Sequence, residues 1–67
     1  MINAHFNVKK GEIKWVILEG EPCKALVKED GIPQTLCDVK VLTLHGTVVR
    51  ATDRIFDTER EAQESCG

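Results

Sequence analysis

Between Asp38 and Thr52 the chain reads DVKVLTLHGTVVRAT, and this stretch constrains the fold more than any other. Val39 and Val41 fall in register with Cys37 and Thr43, while Asp38 and Lys40 point the other way. After His45 and Gly46, which read as a short loop, Val49 and Ala51 share one side and Val48 and Arg50 the other. A period of two on both sides of a glycine-containing break is the pattern of an antiparallel β-hairpin, because successive strand side chains point to opposite faces.

Two earlier runs extend the β pattern. In EIKWVIL, from Glu12 to Leu18, Ile13, Trp15 and Ile17 lie on one face with Lys14 opposite. Val16 and Leu18 make that opposite side apolar as well, which predicts a strand covered on both faces for part of its length. Gly20 and Pro22 then mark a tight connection, since glycine tolerates positive φ and proline removes a ladder donor. In CKALVKED, from Cys23 to Asp30, Cys23, Ala25 and Val27 share one face, and Lys24, Leu26 and Lys28 share a face expected to be solvated. Asp30, Gly31 and Pro33 supply the next break, with Gly31 expected in the left-handed conformation of a turn.

The chain ends RIFDTEREAQESCG. Thr58 followed three residues later by Glu61 is the capping-box pattern, in which the Thr hydroxyl accepts from the Glu61 N–H, so a helix is predicted over 58–66. Glu59 and Glu61 sit where the positive end of the helix dipole favours them, and Ala62 and Cys66 lie one turn apart on one face. So short a helix does not persist alone in water and must dock. Ile55 and Phe56, just before the cap, are the expected anchors, making the tail a lid over the chain's own core. Trp15, the one tryptophan, is expected in that core.

A chain of 67 residues builds one domain with a small core, because so short a chain buries only about 60% of the surface it exposes when unfolded. Its 42% hydrophobic and 30% charged content is that of a folding chain, not a disordered one. The expected organisation is an edge strand or flexible lead over 1–11, a β core over 12–52 and the helix over 58–66: mostly β, of the α+β class, with four to five antiparallel strands. No apolar run approaches the roughly 20 residues that span a bilayer, and none has signal-peptide length, which predicts a cytoplasmic protein without membrane contact.

Strands of this number, a hairpin with glycine at its turn and then FDTxxEA (Phe56, Asp57, Thr58, Glu61, Ala62) opening a terminal helix resemble a group of small bacterial proteins of unknown function. These have an SH3-like β-barrel closed by a C-terminal helix. The resemblance implies a small barrel or curled sheet used for binding protein, RNA or DNA, and rarely for catalysis. One Trp, two Phe and no Tyr depart from SH3 domains that take Pro-rich peptides, which sets that ligand aside.

Catalytic triads, phosphate-binding glycine loops and zinc-protease motifs leave marks in sequence, and none is present. Cys23, Cys37, His45 and Cys66 have the residue types of a zinc site but lack its paired short spacing, so free thiols and no metal or other cofactor are expected. His45 reads as a turn residue, with a pH-sensitive contact as its alternative role. The function expected is that of a non-catalytic binding or adaptor module that contacts protein, or a second copy of itself, through a strand edge or the Lys-bearing faces. The residues expected to serve it are Trp15, Lys14, Lys24, Lys28, Lys40, His45 and Arg50. The alternative is a nucleic-acid-binding module using the hairpin and the basic residues Lys9, Lys10, Lys24, Lys28, Lys40 and Arg50, against which stands a net charge of −2 with no basic cluster.

Overall fold

The structure, a computed structural model, describes residues 8–66 apart from the Cys66 side chain. The expectations for the first seven residues of the N-terminal lead, and for the Cys66 thiol, lie outside the described residues. Four strands, β1 (Ile13–Leu18), β2 (Glu21–Val27), β3 (Asp38–Thr43) and β4 (Gly46–Ala51), form one antiparallel sheet in the order β1-β2-β3-β4. A 3-10 turn at Thr52–Arg54 and one helix, α1 (Glu59–Cys66), follow. The protein is therefore a small α+β domain with an open four-stranded sheet and a short C-terminal helix.

Each connection has its own backbone solution. The β1–β2 loop is Glu19-Gly20, closed by the Leu18 and Glu21 pair, and both residues have positive φ, at 52° and 79°. That is the type I′ turn, whose twist matches that of the strands it joins. Pro22 pairs with Ile17 one step beyond the loop, at a position whose N–H would point away from β1, so its missing donor interrupts nothing in that ladder. The β3–β4 loop is Leu44-His45, and the positive φ falls after it, on Gly46 at 105°. Thr43 secures this loop, its hydroxyl donating to the Gly46 carbonyl (2.9 Å) and accepting from the His45 N–H (3.0 Å).

The long β2–β3 loop departs from expectation. Gln34, not Gly31, holds the positive φ, at 58°, behind Pro33 and inside a turn in which the Thr35 N–H donates to the Ile32 carbonyl at 3.1 Å. This is the pattern of a type II turn. Gly31 serves close approach instead: a Cβ there would lie 3.3 Å from the Thr52 methyl and 3.4 Å from the Val8 carbonyl oxygen. Its N–H donates to that same carbonyl at 2.7 Å, which ties the entering chain across the loop.

The inner face of the sheet carries the core: Val8, Val16, Ala25, Val27, Val39, Val41 and Ile55 form one buried cluster, with Leu18, Cys23, Cys37 and Val48 against it. On β1 the fully buried residue is thus Val16, and Trp15, which the sequence pattern put in the core, is half-buried on the opposite face. The tail fixes the choice: Trp15 stands on the side where Phe56 docks, and Val16 on the side that Val8 and Ile55 fill.

Two ties draw the edges of this sheet together. Trp15 and Phe56 exchange backbone hydrogen bonds at 2.8 Å each, so the tail lays a single-residue bridge along the outer edge of β1. Arg50 on β4 donates to the Val49 carbonyl at 2.8 Å and to the Ile17 carbonyl of β1 at 3.3 Å. By the alternation of antiparallel ladders both carbonyls point out of their sheet edges. One guanidinium therefore spans the gap between the first strand and the last.

The same bridge positions the helix. Residues paired across an antiparallel bridge stand on one face, so Phe56 shares the convex face with Trp15 while Ile55 turns into the core. α1 then lies against β1 and β2, with Ala62 fully buried outside the inner cluster. The Glu61 N–H donates to the Thr58 hydroxyl at 3.1 Å, the cap expected from the sequence. The tail thus plugs the core with Ile55 and covers the outer face beside Trp15 with Phe56 and Ala62.

Candidate binding face

Strand periodicity and register bring a set of apolar and basic side chains to the part of the convex face that α1 leaves uncovered. Ile13 pairs with Leu26, and Leu26 with Leu42, making an apolar row across three strands. Exposure is 52% for Ile13, 41% for Leu42, 49% for Val49 and 95% for Leu44 at the hairpin tip. Ile13, Lys24, Leu26, Leu42 and Leu44 line an open groove of about 290 Å³. Such a row is unusual on a solvent face, where lone apolar residues are ordinary but contiguous ones mark contact sites.

Lysines stand on both sides of the row. Lys24 pairs with Trp15, and its ammonium lies 5.8 Å from the indole centroid, within cation–π range. Lys28, in step with Lys24 and Leu26, meets Lys40 on β3 through a 2.9 Å hydrogen bond from its N–H to the Lys40 carbonyl. The acidic groups of the neighbouring loop are turned to backbone: a Glu29 carboxylate oxygen accepts from the Lys40 N–H (3.1 Å), and one from Asp30 accepts from the Lys10 N–H (2.7 Å).

Four of the seven residues selected from the sequence, Trp15, Lys24, Lys28 and Lys40, therefore share one face. The others do not join it. Lys14 stands on the opposite side of β1, ion-paired with Asp57 and, at 3.9 Å, with Glu12, so it ties the strand to the tail. Arg50 is occupied by the edge carbonyls already described. His45 lies apart at the hairpin tip, in a recess of about 220 Å³ with Leu18, Glu19 and Glu21. Ile13, Leu26, Leu42 and Leu44 were missed as site residues; their signal was available, since in both central strands a leucine interrupts the polar alternation of the outer face.

Cys23 and Cys37 are free thiols, both half-buried. The Cys37 sulfur accepts from the Ile32 N–H at 3.5 Å. Among the described residues no three His, Cys, Asp or Glu side chains gather as metal ligands, and no helix is long and apolar enough to cross a membrane. What remains is a groove-bearing apolar strip rimmed by Lys24, Lys28 and Lys40, suited to hold an apolar surface flanked by carboxylates. No family model, curated protein or solved structure matches the chain, so its own geometry is the ground for a functional reading.

Proposed function

We propose that this chain is a non-catalytic, cytoplasmic binding module that docks a protein partner on the uncovered half of its convex sheet face. The carrying observation is the row Ile13, Leu26 and Leu42, continued by Leu44: apolar side chains that the fold could have hidden beneath α1 and does not. The lysine rim gives such a partner its register and selects for carboxylates near the contact. The curled sheet, the 3-10 turn before Phe56 and the Phe56 bridge to β1 support reading the domain as an SH3-like barrel, of the bacterial kind that FDTxxEA resembles.

The experiment is site-specific photo-crosslinking in cells, with the reactive side chain at position 42 and a control at exposed position 53. Discrete protein adducts at 42 and none at 53 are expected. No adducts at 42, or the same adducts at both positions, contradict the reading. Nucleic acid is a second reading, favoured by Lys24 over the Trp15 ring beside Lys28 and Lys40. It requires salt-sensitive retention of oligonucleotides, tested at two salt concentrations, and absence of binding at low salt removes it.

A further inference from the structure

We infer that the partner this face fits is an amphipathic α-helix with carboxylates along one flank of its apolar stripe, an inference that rests on the docking reading above. Two features of the fold exclude other kinds of contact. The row cannot recruit a strand. At the row β2 and β3 are paired on both edges, and where β2 runs on past β3 its free edge carries Pro22, which has no N–H to give. On β1 the outward N–H and carbonyl of Trp15 are bonded to Phe56, and the Ile17 carbonyl accepts from Arg50. A partner therefore binds by side chains, with its own backbone bonds already made. Nor can a flat surface settle there, because α1 stands on the sheet around Trp15 as a ridge about 10 Å thick and holds a broad surface off the row at its foot.

What fits is one narrow element lying beside α1, at the roughly 8–10 Å that separates packed helices. Three strands carry Ile13, Leu26 and Leu42, so the row is about 10 Å long, close to the rise of two helical turns. A helix with apolar residues at i, i+3 or i+4, and i+7 meets it with one residue per turn. β2 and β3 stop pairing beyond Leu26 and Leu42, which opens the groove between Lys24 and Ala25 on one strand and Thr43 and Leu44 on the other. That opening takes the largest side chain of the stripe as an anchor. Charge then sets the flank. Lys28 and Lys40 stand on the side of the row away from Trp15, both exposed and, among the described residues, neither ion-paired. The ridge on the other side is net acidic, with Glu59, Glu61 and Glu64 against Arg60, so the partner's carboxylates face Lys28 and Lys40 and not α1.

The test is to digest the adducts formed in cells at position 42, identify the attached partner segment by mass spectrometry, and make that segment as a synthetic peptide. The segment is expected to repeat apolar residues every three or four positions with Asp or Glu beside them, and the peptide to gain helical circular dichroism on binding. Lys28→Glu/Lys40→Glu is expected to weaken peptide binding at least ~10-fold and Lys28→Arg/Lys40→Arg less than ~2-fold. Both variants should melt as the wild type does, since the two side chains are exposed. Binding to the wild type is also expected to weaken severalfold as salt is raised, a readout that needs no substitution. A segment of alternating or Pro-rich sequence, a peptide that fails to bind or binds without gaining helix, or one indifferent to the charge reversal overturns the inference and leaves the docking reading in place. No adducts at position 42 remove the docking reading, and this inference with it.

Discussion

Single residues hold this small domain at points where the backbone has few other partners. Thr52 is fully buried, and its hydroxyl accepts from the Cys37 N–H (3.3 Å) and donates to the Thr35 carbonyl (3.2 Å), fastening the long loop to the end of β4. Thr52→Val keeps the shape and removes both bonds, which should cost about 1–3 kcal/mol because buried polar groups lose a partner. For a domain of this size each kcal/mol lowers the melting temperature by roughly 4–8 °C, so a calorimetric or circular-dichroism melt reads the loss directly. Glu19 shows the opposite case. It occupies a left-handed position with a side chain that gains nothing there, and Asn is the residue best fitted to precede glycine in a type I′ turn. Glu19→Asn should raise the midpoint, by the equivalent of up to ~1 kcal/mol.

At the scale of elements, the helix is the piece whose existence depends most on one short signal. Its eight residues have too few internal hydrogen bonds to persist alone, so the Thr58 cap and the docking of Ala62 must both contribute. Thr58→Ala should cost about 1 kcal/mol in chemical denaturation, and Thr58→Ser much less, since a serine hydroxyl accepts the same Glu61 N–H. This element was legible in the sequence because a cap is a local chemical pattern, as was the hairpin, where Val39 and Val41 alternate cleanly with Asp38 and Lys40. β1 was legible as a strand but not in its orientation. Ile13, Trp15 and Ile17 oppose Val16 and Leu18, both sets are apolar, and only the docking of Val8 and Ile55 on one side and Phe56 on the other decides that the valine goes inside. Gly31 likewise reads as a turn residue until the approach of Thr52 and Val8, distant in sequence, shows that its value is lack of bulk.

Taken as a whole molecule, the domain divides its convex face between its own tail and an uncovered strip. The lysines of the candidate site could be found by type, but their grouping depended on register. Lys28 and Lys40 become neighbours through β2–β3 pairing, while Lys14 and Arg50, equally basic, are drawn off to Asp57 and to the edge carbonyls. That division rests on the tail belonging to the fold: Ile55 in the core, Phe56 bridging β1, α1 covering the surface around Trp15. The most direct test is the thermal melt of a chain ending at Phe56, with α1 removed. Uncovering Phe56 and the Trp15 surround exposes apolar area worth about 2 kcal/mol or more, so the midpoint should fall by at least ~8 °C. A cooperative melt at the full-length temperature would contradict the account, because α1 would then hold nothing of its own domain in place.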